Sequence, residues 1–328
     1  MNRIVKYGFR VFFLGIGFLF PVGAQADFPD RPILYVVCET PGSHVDEMSR
    51  RQQPALKDIL GAPVVITYRT GGDGSSCWSF LARSHSEGYV VSSMVLPLLI
   101  LNPLVRKNVG YDPDEFLPLV IYQSIPIGLA VRRDHPAKSF DGFIALARQY
   151  PRRIKVGVDA RYSPQYLALY QFQKRAGIEL TTVIFAGPAK QMAGFRSKEV
   201  EAVMARSTDL VARATDFRIL AIGTQERLDI FPTVPTFVEK GIEIFPRIDL
   251  GVCIRKGVPQ ERVRVLERAF LQIAQQNILD NELRKKGFIP LAIGSSQSLI
   301  LMEEMKKEFK QLIAEIDISQ GWSYEIKE

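Results

Sequence analysis

Short segments rich in β-branched residues alternate with longer helical segments along most of the chain, and this alternation constrains the fold more than any other feature. Several strand candidates are continuous apolar runs, which is typical of strands covered on both faces in a parallel sheet. The strand candidates are residues 33–38, 64–67, 90–95, 119–122, 128–132, 154–158, 182–185, 200–204, 217–222 and 248–254. The helix candidates are residues 46–60, 76–84, 139–149, 163–176, 188–196, 207–214, 259–275 and 297–315. The pattern predicts βαβ units and an α/β fold.

Individual residues refine the helix predictions. Ser163 followed by Pro164 is a helix start, with a capping side chain before proline at the first helical position. Pro54 lies inside 46–60 and predicts a kink or break there. The last helix carries an apolar face that we expect to pack on the chain's own core rather than on a partner. That face consists of Met302, Met305, Phe309, Leu312 and Ile316.

The first 26 residues read as a secretory signal peptide. Arg3, Lys6 and Arg10 precede a ten-residue apolar run too short to span a bilayer, and Ala24–Ala26 is an A-x-A site, so cleavage is expected after Ala26. Its removal lowers the formal charge from +7 to +4, which is too mild to indicate a nucleic-acid partner. We expect an exported, periplasmic, monomeric protein.

Three cysteines, Cys38, Cys77 and Cys253, occur in the chain. The odd count leaves at least one thiol unpaired, although an oxidising compartment permits a disulfide. We expect three small buried side chains, with a Cys38–Cys77 bridge as the alternative.

The sequence lacks the familiar catalytic signatures: it has no G-x-S-x-G, H-E-x-x-H, Walker A, C-x-x-C or post-strand G-x-G-x-x-G motif. Its three histidines show no metal-ligand spacing. Ser43, His44 and Asp46 are neighbours in sequence, but a catalytic triad is a three-dimensional arrangement, so adjacency does not indicate one. We therefore expect that the protein is not an enzyme and that it binds no metal ion and no cofactor.

Small polar loops follow four of the predicted strands, at residues 39–46, 68–76, 159–164 and 205–208. Each runs into a helix, where backbone N–H groups and the helix dipole favour an anion. Ligands of open α/β sheets bind at such carboxyl-end loops. The loops predict a cleft for a small anion; the alternative is that they are ordinary βα turns.

An ordered set of motifs from Asp27 to Ile313 resembles the substrate-binding proteins of tripartite tricarboxylate transporters, the Bug-type solute receptors. The motifs include a Phe28-Pro29-Asp30-Arg31-Pro32 opening, Pro41-Gly42 with Asp46, and Glu87-Gly88-Tyr89. Later motifs are Tyr111-Asp112-Pro113, Phe231-Pro232-Thr233-Val234-Pro235-Thr236 and Gly257-Val258-Pro259.

The resemblance implies a two-lobed periplasmic-binding-protein fold of type II-like architecture, with a mixed, helix-flanked sheet in each lobe and a ligand cleft between them. It places residues 27–128 with 252–328 in lobe 1 and 129–251 in lobe 2, with crossings near 125–132 and 247–254. It implies capture of a small carboxylate by lobe closure and delivery to integral-membrane transporter subunits. A sensing or signalling protein with an altered cleft is the alternative.

The sequence departs from the family pattern in the ligand loops. Arg161 and Arg206 of the second lobe would face a carboxylate, to which a guanidinium is well matched. The alternative is that either arginine pairs across the cleft with Glu39 or Asp46. Tyr162 and Tyr166 would line an apolar wall or simply pack, and His44 would make binding pH-sensitive or be solvated. The predicted ligand-binding residues are Thr40, Pro41, Gly42, Ser43, His44, Asp46, Gly74, Ser75, Arg161, Tyr162, Ser163, Arg206 and Ser207.

Overall fold

A computed structural model describes residues 28–277, 280–318 and 324–327, and the predicted signal peptide lies outside them. The strands are β1 (Ile33–Val37), β2 (Val64–Tyr68), β3 (Val90–Leu96), β4 (Phe116–Arg132), β5 (Lys155–Val158), β6 (Thr181–Phe185), β7 (Ala202–Arg206), β8 (Phe217–Ile222), β9 (Arg247–Arg255), β10 (Ile289–Gly294) and β11 (Tyr324–Lys327). The helices are α1 (His44–Leu60), α2 (Ser75–Ala82), α3 (Leu98–Val105), α4 (Phe140–Gln149), α5 (Pro164–Ala176), α6 (Pro188–Arg196), α7 (Ser207–Ala212), α8 (Gln260–Asn277), α9 (Asn281–Lys285) and α10 (Ser295–Ile318). The predicted α/β alternation is confirmed.

The strands form two mixed sheets that share β4. In the first lobe the order is β2-β1-β3-β9-β4, with β10 also paired to β4. In the second lobe the order is β4-β7-β5-β6-β11, with β8 also paired to β4. The outer strands β2, β1 and β3 run parallel, as do β7, β5 and β6, whereas β9, β7 and β8 run antiparallel to β4. Helices cover both sheets, which gives the two-lobed α/β architecture.

Strand β4 passes from one lobe to the other. The predicted strands 119–122 and 128–132 are parts of this single strand. Its partner changes abruptly, because Pro126 is in register with Arg247 of β9 whereas Ile127 is in register with Arg206 of β7. Proline has no backbone N–H to donate, so it suits the position where one ladder ends and the next begins.

The last strand departs from the proposed division of the chain. The predicted division assigns residues 252–328 to lobe 1, whereas β11 pairs in parallel with β6 at the edge of the second sheet. The rest of the proposed division, 27–128 with 252–328 and 129–251, remains a proposal.

The C-terminal helix α10 packs on the chain's own core, as its apolar face predicts. Met302, Leu312 and Ile316 are buried, and Met305 and Phe309 pack against the same cluster. Two polar contacts connect α10 to α5 of the second lobe. The Gln171 amide donates to Glu308 and the Lys174 ammonium to Glu315, each at 2.7 Å. The helix therefore contacts both halves of the molecule.

Two local predictions need correction. Helix α1 runs through Pro54 without a break. Pro54 and Arg50 are both exposed, so water can reach the Arg50 carbonyl that loses its helical donor. Cys38 and Cys77 form a disulfide with a Cα–Cα distance of 5.1 Å, contrary to the expectation of three unpaired thiols, while Cys253 is buried and free. The pairing arises because the end of β1 lies against the first turn of α2.

Candidate functional site

A cleft of about 690 Å³ lies between the two lobes. The first lobe contributes the loops after β1 and β2 and one face of α3. The second lobe contributes the loops after β5, β6 and β7. These are carboxyl-end loops of the strands, where ligands of open α/β sheets bind.

Four helices direct their N-termini to this cleft. The lining includes His44 at the start of α1, Gly74 just before α2, Pro164 at the start of α5 and Pro188 at the start of α6. Each N-terminus carries backbone N–H groups that have no acceptor within the helix, together with the positive end of a helix dipole. Their convergence from both lobes makes the cleft favourable to a negatively charged ligand.

The sequence fixes two of these N-termini through serine caps. The Ser43 hydroxyl accepts a hydrogen bond from the backbone N–H of Asp46 at 3.2 Å. The Ser163 hydroxyl accepts one from the backbone N–H of Tyr166 at 3.2 Å, with Pro164 at the first helical position as predicted. Each cap typically stabilises its helix by about 1 kcal/mol. The loops after β1 and β5 are thereby held in place.

The glycine-rich loop after β2 has an unusual backbone. Residues 71–74 all have positive φ, with values of 112°, 59°, 52° and 91°. Asn102 of α3 supports this loop, since its amide donates to the carbonyls of Gly72 at 3.2 Å and Asp73 at 3.0 Å and to Ser75 Oγ at 3.0 Å. The Asp73 carboxylate pairs with Arg106 at the mouth of the cleft. Helix α3 therefore sets the shape of this wall.

An apolar surface faces the polar loops. It is formed by one face of α3, by the strands that connect the lobes and by a fully buried indole. Its members are Leu98, Leu101, Val105, Ile125, Ile248, Leu250 and Trp78. A cleft with this composition suits a ligand with an acid group and an apolar body.

Arg206 of the second lobe lies between two carboxylates of its own lobe. One guanidinium nitrogen is 3.3 Å from Asp159 Oδ2, and Nε is 4.0 Å from Asp209 Oδ2. Burial raises the pKa of Asp209, while Arg206 and Arg213 oppose that rise. Cross-cleft pairing of Arg206 with Glu39 or Asp46, which the sequence left open, is not present: Asp46 binds Arg50 and Tyr68 instead.

Arg161 is an exposed residue on the second-lobe side of the cleft. Its guanidinium carbon lies 4.9 Å from the centre of the Tyr162 ring, a distance typical of cation–π contact. Tyr162 has a left-handed backbone, with φ of 59°, and meets the buried Tyr166 ring edge-on at 5.7 Å. Tyr162 lines the cleft, whereas Tyr166 lies behind it.

His44 is held by the first lobe. Its ring stacks on Phe288 with centroids 4.0 Å apart, Nε2 lies 3.0 Å from Gln123 Oε1, and Nδ1 lies 3.8 Å from Glu47. Burial lowers the pKa of His44, opposed by Gln123 and Glu47. The neutral imidazole is therefore the form that the fold favours.

We expect the unfolding free energy to fall as pH falls below about 6.5, the unperturbed imidazole value. The pKa values of His44 and His135 are both lowered by burial, so below this pH the unfolded chain binds more protons than the folded chain. Urea unfolding at pH 7.5 and 5.5 measures the difference. His44→Gln should reduce the pH dependence, and an unchanged slope in this variant would assign the effect elsewhere.

The structure brings about half of the predicted ligand-binding residues to the cleft. The residues that line it are Thr40, His44, Gly74, Arg161, Tyr162, Ser163 and Arg206. The others, Pro41, Gly42, Ser43, Asp46, Ser75 and Ser207, do not line the cleft. Several of them hold the loops.

Contacts of the residues behind the lining explain their positions. The buried Asp46 carboxylate accepts from the Gly42 backbone N–H at 2.8 Å and the Tyr68 hydroxyl at 2.7 Å, which lowers the pKa of Asp46 against the effect of burial. Ser75 accepts from Asn102, and Ser207 donates to the Gly287 carbonyl at 2.6 Å. These contacts fix the walls rather than the cleft surface.

Sequence reasoning missed part of the site. Asp159 lies in the predicted third loop and Gln165 just after it, and both line the cleft. Their position could have indicated a role in binding, but neither is among the predicted ligand-binding residues. Asn102 and the apolar face of α3 were missed because residues 98–105 were not predicted to be helical.

Among the described residues no cluster of His, Cys, Asp and Glu could hold a metal ion. In the same ranges, no helix combines the length and apolarity needed to cross a membrane.

Comparisons with known proteins place these features in a family. A family model described as "Tripartite tricarboxylate transporter family receptor" matches residues 48–318. Protein BugT of Bordetella pertussis is 27% identical over 295 residues, covering 88% of this chain and 90% of the relative. A UPF0065 protein from the gbd 5' region of Cupriavidus necator is 26% identical over 308 residues, covering 92% of each chain.

Solved structures show the same fold. A TctC solute binding protein from Polaromonas, without ligand, superposes with a TM-score of 0.78 at 24% identity, covering 88% of this chain and 99% of the other. The structure of R. palustris Rpa4515 with adipate gives a TM-score of 0.72 at 26% identity, covering 87% and 97%.

Proposed function

Because the chain belongs to the tripartite tricarboxylate transporter family of receptors, we propose that it captures a small organic carboxylate between its two lobes and presents it to the membrane subunits of such a transporter. Capture needs no bond making, and the protein acts as a receptor rather than an enzyme. It works as an exported, periplasmic monomer after cleavage following Ala26.

The convergence of four helix N-termini on one cleft is the observation that carries this proposal. Two of them come from each lobe, so an anion held between them is attracted by both halves at once and favours the closed arrangement. Arg161 adds a guanidinium on the same side as α5 and α6. Arg206 adds less charge, since Asp159 and Asp209 offset it.

The apolar wall and the R. palustris relative support an acid with a hydrocarbon body. That relative was solved with adipate, a dicarboxylate whose ends are separated by a methylene chain. In this chain, Leu98 and Leu101 of α3 and Ile248 and Leu250 of β9 offer a surface on which such a chain is removed from water. Burial of each methylene contributes about 0.8 kcal/mol.

A thermal-shift screen of mono-, di- and tricarboxylates tests the function. At least one acid is expected to raise the melting temperature, since a ligand of the folded state stabilises it by mass action. Arg161→Gln should lower the affinity for that acid about tenfold or more, which is the usual loss when a hydrogen bond to a charged group is removed. Arg264→Gln, an exposed arginine of α8 outside the cleft, is the matched control and should bind as the wild type does. Stabilisation by cationic amines and by no acid would contradict the proposal.

A further inference from the structure

Three neighbouring side chains in the second-lobe wall of the cleft, Asp159, Gln165 and Arg206, each have a polar atom without a hydrogen bond to any described residue. Asp159 and Gln165 are 7% and 1% exposed, and all three residues line the cleft. The unpartnered atoms are Asp159 Oδ1, Gln165 Oε1 and Arg206 Nε, none of which has a hydrogen-bond partner among the described residues. Two of the three are acceptors, so this part of the wall has an excess of acceptors.

The existing contacts use the other polar atoms of the same side chains. The Gln165 amide donates to Asp159 Oδ2 at 2.7 Å, and the Arg206 guanidinium approaches the same oxygen at 3.3 Å. The Asp159 backbone carbonyl accepts from the Gly187 N–H at 2.8 Å, which fixes the loop that carries the carboxylate. The Gln165 amide and the Arg206 guanidinium are therefore both directed at Asp159 Oδ2. Asp159 Oδ1 remains available to accept a hydrogen bond from another group.

A buried acceptor without a partner is costly, and a ligand group that donates to it recovers that cost. Rotation about the broad χ2 torsion of an aspartate can present either oxygen to the cleft. The helix N-termini and Arg161 serve the acid group of the ligand, but they offer nothing to a donor. Asp159 and Gln165 supply buried acceptors on this wall that have no hydrogen-bond partner among the described residues.

We infer that the ligand carries a hydrogen-bond donor, a hydroxyl or an amino group, beside its carboxylate, and that Asp159 with Gln165 selects for it. This inference rests on the proposed carboxylate-receptor function. A simple acid without such a donor leaves the two acceptors unpaired and binds more weakly. Sites built to pair with a polar group discriminate strongly against analogues that lack it.

Two matched series of acids test the inference by titration calorimetry with the full mature chain. One series is succinate, malate and aspartate, and the other is 3-phenylpropionate, 3-phenyllactate and phenylalanine. In at least one series the hydroxy or amino acid should bind about tenfold or more tightly than the acid without a donor. Preference for the hydroxy or for the amino member identifies the kind of donor.

Variants of Asp159 show whether this residue causes the preference. Asp159→Ala should reduce the preference to near equality, whereas Asp159→Asn, which keeps an acceptor oxygen but no charge, should retain the hydroxy acid better than the amino acid. Asp58→Asn removes an exposed carboxylate of α1 outside the cleft and should leave the preference unchanged. Thermal melts of each variant confirm that it is folded.

The possible failures are distinct. If none of the six acids binds and no acid of the thermal-shift screen does, the carboxylate-receptor function itself is wrong, and the inference fails with it. If only acids without a hydroxyl or amino donor bind, the receptor function stands and the inference is wrong. If acids bind but the members of each series bind equally well, only the inference is wrong. A preference that survives Asp159→Ala would also overturn it, because another group would then be selecting the donor.

Discussion

Removal of the Cys38–Cys77 disulfide is expected to lower the free energy of unfolding by about 4 kcal/mol. The bridge joins residues 39 positions apart, and the loss of loop-closure entropy in the unfolded chain predicts a stabilisation of this size. Cys38 also lines the cleft, and Cys77 lies on the helix that follows the glycine-rich loop. The double variant Cys38→Ala with Cys77→Ala should therefore bind its acid more weakly as well as unfold more easily.

Urea unfolding of the wild type with and without a reducing agent measures this effect. The double alanine variant is its own control, since its unfolding midpoint should not respond to the reductant. Cys253 is buried and unpaired, and burial raises its pKa well above the usual thiol value, so it should not react in the folded state. Equal midpoints of the wild type in both conditions would show that the bridge does not stabilise the protein.

Gly74→Ala is expected to destabilise the protein by about 2–4 kcal/mol, because it combines a steric clash with a left-handed backbone. Gly74 has φ of +91°, and a Cβ at this position would lie 2.6 Å from a ring atom of Trp78. The Trp78 ring is fully buried and donates from Nε1 to the Ser93 carbonyl at 3.1 Å, so it has little room to move. Because Gly74 and Trp78 both line the cleft, ligand affinity should fall as well.

Gly61→Ala is the matched control for this substitution. Gly61 ends α1 with φ of +66°, but a Cβ there meets no atom within 4 Å. The control should therefore show only the conformational cost of a left-handed backbone, about 1–2 kcal/mol, measured by the same urea titration. The difference between the two variants isolates the contact with Trp78. Equal losses of unfolding free energy in the two variants would mean that the Trp78 indole moves aside without cost and does not form a rigid part of the cleft wall.

The alternation of strands and helices was sufficient to predict the fold class, since it depends on local apolar runs and caps. The continuity of β4 was not predictable in the same way. Pro126 interrupts the local pattern, and only the change of partner from Arg247 to Arg206 shows that one strand serves both lobes. Helix α3 was missed because its residues are apolar on nearly all sides and Pro103 lies inside it.

The site was predictable where it depends on neighbours in sequence and less so where it depends on tertiary contacts. The Ser43 and Ser163 caps are local features, and both helix starts are present. The contact between Arg206 and Asp159 joins residues 47 positions apart that meet because β7 lies beside β5. The Cys38–Cys77 bridge likewise requires β1 and α2 to be adjacent, which spacing alone does not reveal.

The contacts between α10 and α5 limit how the two lobes of the receptor can move. Strand β4 and the segment leading into β9 connect the lobes, and α10 adds polar contacts to α5 of the second lobe. Two connecting segments alone allow the lobes to twist and slide against each other, whereas the α5–α10 contacts oppose both movements. We therefore expect the two lobes to close by rotation about a single axis, as a hinge does, rather than by free reorientation.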